Sequence, residues 1–337
     1  MADREVFGKT ETGEPVYRIK ISGGGLTCHV MTWGAVIQDL RLEGHKFPLV
    51  LGFETFEDYL LHSPYLGASP GRCANRITSG RFELDGKQYQ LDLNEEGITH
   101  LHGGSDGLGT RSWQILNLSD DAVVLQCIDP DGRAGYPGNC TVTATYRLGG
   151  DGVMSVLYES RADQSTICNI CQHSYFNLDG RHDTLGHDIM IAADQIVTVD
   201  ARQCPTGELM AVTGTAFDLR DMTSMKRQEA GEQVLFDHNY CLSSERMTKR
   251  SVAMARSINS GVSLEVRTTE PGLQFYGGFK LDVPVPGLQG RHYGPFAGFC
   301  LETQVWPDAI NHSGFPNMIL RPGETVRQET DYVFSKS

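Results

Sequence analysis

The sequence predicts an all-β protein, a large antiparallel β-sandwich, and three observations carry that prediction. Short segments alternate apolar and polar residues along most of the chain, glycine-containing turns separate them, and helical periodicity is scarce. The 38 glycines among 337 residues suit a chain with many tight turns.

The strands can be taken in order. Val16 to Ile21, Leu26 to Thr32 and Val36 to Leu42 open the series. Arg81 to Leu84 and Lys87 to Leu91 then alternate on either side of Asp85-Gly86, the strongest short-range hairpin signal a sequence offers. Trp113 to Leu118, Val123 to Cys127, Cys140 to Leu148 and Val153 to Glu159 continue the pattern, as do Ile189 to Ile191, Val262 to Arg267 and Thr325 to Phe334. Phe56 to Leu61 and Met222 to Gln233 read as short helices, neither with a convincing apolar stripe. There is no βαβ rhythm, fixed-period repeat or low-complexity linker, so the expectation is a single domain over residues 1–337, with two packed β domains as the alternative.

Composition narrows the function. A hydrophobic content of 39% with 21% charged residues describes an ordinary globular protein. A formal net charge of -13 argues against nucleic acid or an anionic membrane as partner, and gives a phosphorylated substrate no support. The N-terminal segment is charged from Asp3 onward, and no run approaches the roughly 18 apolar residues of a membrane span. Nine cysteines, an odd count, read as reduced thiols, so the expected compartment is the cytoplasm. The Asn-x-Ser/Thr triplets at Asn117, Asn139 and Asn311 then carry no glycan. The oligomeric state is left open between monomer and homodimer.

Four polar clusters are the wrong kind of residue for packing alone. In the first, residues 71–77, Arg72, Asn75 and Arg76 follow a glycine and can present a fork of donors to an oxygen-rich ligand; a solvated loop with packed arginine stems is the plainer reading. In the second, His100 and His102 flank Leu101, so strand alternation puts both rings on one face, and Gly103-Gly104 admits a ligand or another backbone. His100 reads as structural and His102 as the site candidate. In the third, Asn169, Cys171, His173 and Tyr175 share one strand face and Ile170, Gln172 and Ser174 the other; a lone histidine there is more often a satisfied core residue. In the fourth, Glu302 is an acid inside an apolar run, where carboxylates are rarely buried unless paired or functional. Asp237 is the next carboxylate of interest, although a turn-forming aspartate is commoner.

Three tempting motifs fail. Cys168 and Cys171 have zinc-ligand spacing, but i and i+3 point to opposite faces of a strand and no second pair exists. The stretch from Asp129 places glycine at position 4 of a calcium loop instead of 6, and Cys140 at position 12. Ser22 to Gly25 leads into strand residues with no Gly-Lys-Ser/Thr. The expectation is therefore no metal and no cofactor.

In this order the clusters resemble the galactose mutarotase family, also called aldose 1-epimerases. The resemblance covers essentially the whole chain and rests on GRCANRI (71–77), LHGG (101–104), HSYFNL (173–178), FDHNY (236–240), TTEPGLQFY (268–276) and LETQVWPDAINH (301–312). It implies a β-sandwich enzyme that exchanges the anomers of a free aldohexose such as galactose or glucose, without metal or cofactor. By position it implies His173 as general acid and Glu302 as general base, with Asn75, Arg76, Asp237 and Gln274 holding sugar hydroxyls. It also implies His102 near the ring oxygen, with Ser174 and Tyr175 bordering the site. The chain departs from the family pattern at Asn169-Ile-Cys171-Gln172, where Asn-x-Thr-Asn is common, and in the run after Gln274. Gln172 is expected to face away from His173 and to alter packing more than activity; the loop could change which sugar fits.

Anomer exchange needs a base for the C1 hydroxyl proton and an acid for the ring oxygen, each worth roughly 10²–10⁴-fold. A histidine with a pKa of ~6.5 suits the acid, and an apolar strand raises a glutamate from ~4.3 toward usefulness as a base. The alternatives are an epimerase for a pentose, fucose or hexose phosphate, a glycoside hydrolase using two carboxylates, and a non-catalytic sugar-binding module.

Overall fold

The computed structural model describes residues 3–337. Two antiparallel sheets face each other. The larger has nine strands in the order Thr223–Ser224, His187–Ile191, Arg250–Ser257, Val262–Thr268, Val326–Lys336, Val153–Ala162, Cys140–Gly149, Ala122–Asp129 and Gln114–Leu118. The smaller has six, in the order Tyr175–Phe176, Phe299–Gln304, Gly272–Tyr276, Asp237–Cys241, Gln195–Val199 and Pro205–Ala211. A four-stranded meander, Asp3–Lys9, Pro15–Gly23, Leu26–Met31 and Ile37–Leu42, packs at one side.

Period-2 alternation builds the core between the sheets. Val142, Ala144 and Tyr146 from one central strand, with Val156, Leu264 and Tyr332 from others, meet Leu273, Phe275, Phe299 and Leu301 from the smaller sheet. Tyr332 locks the two layers by donating its hydroxyl to the Leu301 carbonyl at 3.3 Å. This is the expected β-sandwich.

The predicted hairpin forms as Arg81–Leu84 and Lys87–Gln90, with Asp85 at φ 53° and Gly86 at φ 76°, the double left-handed turn that Asp-Gly favours. One of the two expected helices exists, Phe56–His62, capped by the Thr55 side chain. The other does not. Residues 222–233 hold three two-residue strands, Thr223–Ser224, Gln228–Glu229 and Glu232–Gln233, because a stretch without an apolar stripe has nothing to hold a helix against the core. All nine cysteines are free thiols. Among the described residues no helix is long and apolar enough to cross a membrane.

Candidate active site

The outer face of the six-stranded sheet supplies one wall of a cavity. On Phe299–Gln304, Phe299 and Leu301 enter the core, so Cys300 and Glu302 point the other way. Register sets Gln274 beside Glu302, and Asn239 beside Gln274 on the next strand. Asp237 lies two residues before Asn239, and the Gln274 amide donates to its Oδ1 at 2.8 Å.

The second wall comes from the segment that leads into Tyr175–Phe176. His173 exchanges backbone hydrogen bonds with Gly67 and Ala68, which fixes its ring over the sheet. Alternation carries Cys171, His173 and Tyr175 toward Glu302. Gln172 faces away as expected, donating to the Gly67 carbonyl at 2.6 Å and accepting the Ser174 N–H at 2.7 Å. The same alternation turns Ser174 away. Ser174 is buried but does not line the cavity, which corrects the expectation that its side chain borders the site.

The third wall is the short pair Arg76–Ile77 and His100–Leu101. Strand alternation does not extend to His102, whose φ of 52° bends the chain out of the strand path. The two rings therefore part. His100 is buried between Asp92, at 2.9 Å, and the Tyr136 hydroxyl, at 2.6 Å, in a structural role. His102 lines the cavity, and the Asn75 backbone N–H donates to its Nδ1 at 3.1 Å. Arg76 grips Glu95 through two hydrogen bonds of 2.7 Å each. Arg72 is wholly interior, bound to Asp129, Thr166 and the Pro137 carbonyl, and presents no donor to a ligand.

The cavity measures about 240 Å³ and brings together Asn75, Arg76, His102, His173, Tyr175, Asp237, Gln274 and Glu302. It also gathers Tyr65, Glu95, Tyr276 and Lys280, which sequence reasoning missed. Tyr65, at φ 63°, packs its ring 4.6 Å from that of His102, a contact no local pattern announces. Tyr276 lies inside one of the quoted motifs and Lys280 inside the divergent loop, so both had a faint signal.

At the centre, His173 Nε2 stands 3.7 Å from Glu302 Oε1, and both residues are nearly inaccessible. Burial dominates both titrations. It pushes Glu302 up to about 8, an effect Asp237 reinforces and the Cys171 thiol and Arg76 oppose. It pushes His173 down to about 4, so the ring is not held near the ordinary histidine value that the sequence suggests. His102 is driven well below its usual range, first by burial and then by His173 and Arg76.

Donor atoms of His102, His173 and Glu302 lie within 4.8 Å of one another, a donor set known from catalytic zinc. The tautomer opposes it. Because Nδ1 of His102 accepts the Asn75 N–H, the neutral ring carries its proton on Nε2, and that nitrogen has no lone pair for a cation. The residues fit a hydrogen-bonding site better than a resident metal.

Fold and cavity together define a β-sandwich whose cavity holds a buried imidazole–carboxylate pair beside amide, guanidinium and carboxylate side chains. The chain matches the family described as aldose 1-epimerase over residues 17–333. It is 42% identical to a galactose mutarotase of Rattus norvegicus across 98% of both chains. It is 34% identical to an aldose 1-epimerase of Escherichia coli K12 across 96% of both. Among solved structures, an aldose epimerase homologue from C. elegans superposes with a TM-score of 0.89 at 30% identity, covering 95% of this chain and 98% of that one. A galactose 1-epimerase from Lactobacillus acidophilus gives 0.86 at 26% identity over 100% and 99%. The chain belongs to the aldose 1-epimerase family.

Proposed function

We propose that this isomerase interconverts the α and β anomers of a free aldose, such as galactose or glucose, with Glu302 and His173 as its acid–base pair. The observation that carries the assignment is the 3.7 Å approach of a buried imidazole and a buried carboxylate in a cavity that also presents Asn75, Arg76, Asp237 and Gln274. Glu302 takes the proton of the C1 hydroxyl as the C1–O5 bond breaks, and His173 gives its proton to the ring oxygen. The open aldehyde rotates about C1–C2, and closure on the other carbonyl face returns both protons. Asp237, Gln274, Asn75 and Arg76 hold the remaining hydroxyls, and His102 offers its Nε2–H to an oxygen near the ring. Tyr175 borders the sugar.

Two alternatives lose support here. A phosphorylated sugar wants several unpaired cations, yet of the two cations lining the cavity Arg76 is matched by Glu95, which leaves Lys280 alone. A glycoside hydrolase wants two carboxylates flanking the bond, whereas Glu302 faces an imidazole at 3.7 Å and the other cavity carboxylates, Asp237 and Glu95, are engaged by Gln274 and Arg76. We further take residues 1–337 to act as one domain, since strands of both sheets share one apolar cluster. The free thiols favour a reducing compartment such as the cytoplasm.

The test is polarimetry or NMR of freshly dissolved α-anomers across a panel of aldoses. Glu302→Gln and His173→Ala should each slow exchange by roughly 10²-fold or more while sugar binding persists. Near-normal exchange in either variant removes that residue from the mechanism.

A further inference from the structure

We propose that Cys171 is a positioning residue for the reaction: its thiol donates a hydrogen bond to Glu302 Oε2 and holds that carboxylate with Oε1 turned to His173 and the sugar. This rests on the reading of Glu302 as the base.

The Cys171 Sγ lies 3.2 Å from Glu302 Oε2, and the cysteine is 1% exposed. Among the described residues it is the only donor within hydrogen-bonding distance of that carboxylate. The two oxygens are thus divided: Oε2 is tied back to the thiol, while Oε1 is the one that faces His173. A buried carboxylate with both oxygens unbonded would be free to rotate and costly to ionise. The strength of the donor matters as well. An S–H is a weak donor, so it orients the carboxylate and favours its charged form a little without quenching its basicity, as several N–H donors would.

The groups facing Glu302 come from every neighbouring element. His173 and Cys171 oppose it, His102 lies within 4.8 Å, Cys300 shares its strand, Tyr276 lies on the adjoining strand and Asp237 on the one beyond, Arg76 reaches in from the short pair with His100–Leu101, and Tyr175 and Tyr332 pack close by. Of these, Asp237 raises the carboxylate and Arg76 lowers it, and neither changes in the experiment below.

Val and Thr have nearly the same shape, and only Thr donates. Cys171→Val and Cys171→Thr are compared by pH–rate profiles of anomer exchange and by ¹³C NMR titration of Glu-labelled protein, with the Glu302 signal identified by its loss in Glu302→Gln. In Cys171→Val the Glu302 midpoint and the alkaline limb of the rate should rise by about half a pH unit or more, with kcat on the plateau lower by roughly threefold or more and KM little changed. In Cys171→Thr the midpoint should stay or fall, and the rate should be kept. If Cys171→Val does not fold, Cys171→Ala takes its place. Equal midpoints in the donor and non-donor variants overturn the proposal, as does a shifted midpoint with an unmoved rate limb. Loss of exchange in Glu302→Gln together with equal midpoints sinks only the role of Cys171, whereas exchange surviving in Glu302→Gln sinks the base assignment itself.

Discussion

Burial acts on the two central residues in opposite senses, and it reverses the order in which they would titrate in water. Glu302 loses its proton near pH 8 and His173 near pH 4, so between those values the pair holds one proton, mostly on the carboxyl. The form with Glu302 charged and His173 protonated carries the same total charge, so both forms persist over the same pH range. Below about 4 a second proton removes the base, and above about 8 the last proton leaves and removes the acid. The kcat/KM profile should therefore be flat from about pH 4 to about pH 8 and fall on either side, read by polarimetry in wide-range buffer. A single rise near pH 4.5 followed by a fall near 6.5, as in water, would show that water enters the cavity and relieves both groups. The two residues were not equally legible in the sequence. Glu302 betrays itself as an acid among apolar neighbours, whereas His173 stands out only through the family resemblance. Cys171 was noticed as a departure from the pattern, but its partner lies 131 residues away, and only the folded chain brings the thiol to the carboxylate.

Strands with one solvent-facing side were legible and strands buried on both sides were less so. Cys140–Gly149 alternates buried and half-exposed residues, and the sequence reads it to within a residue. Phe299–Gln304 is buried at all six positions, the core on one side and the site on the other, so its sequence shows no alternation that marks a solvent face. Its neighbour Gly272–Tyr276, buried at four of five positions, was found as a motif and not as a strand for the same reason. The glycines after His102 were read as admitting a ligand or another backbone, and the structure gives backbone. Gly103 has φ 90°, and a Cβ there would stand 1.6 Å from the Gly71 carbonyl oxygen. That contact joins the segment carrying Asn75 and Arg76 to the one carrying His102. Gly103→Ala is both conformationally strained and sterically blocked, and should destabilise the protein by at least about 2 kcal/mol. The surviving folded fraction should show a raised KM, since the two segments must part. A melting temperature within a degree of the parent and an unchanged KM would mean that the segments are independent.

For the whole molecule, the site is a net burden on stability, and pH reveals its size. The unfolded chain ionises Glu302 near the ordinary value of about 4.5, while the folded chain keeps it protonated up to about 8. Between these values the native state holds more protons than the unfolded state, so this group's contribution to stability declines as pH rises and levels off above about 8. His173 works the other way. The unfolded chain protonates it below about 6.5 and the native state resists until about 4, so stability also falls as pH drops through that window. The two slopes oppose each other at mildly acidic pH, which leaves Glu302 dominant from about 6.5 to 8. Gln fills nearly the same volume, carries no charge at any pH, and can accept the Cys171 thiol through its carbonyl oxygen. Glu302→Gln should therefore match the parent near pH 4.5 and exceed it increasingly toward pH 8, by on the order of 3 kcal/mol, with a melting midpoint several degrees higher. Thermal melts of both proteins at intervals from pH 4.5 to 8.5 check this. A constant difference across that range would mean that Glu302 titrates normally in the fold. A gain that grows with pH in a variant that no longer exchanges anomers would show that the buried carboxylate is kept for chemistry and at the expense of stability.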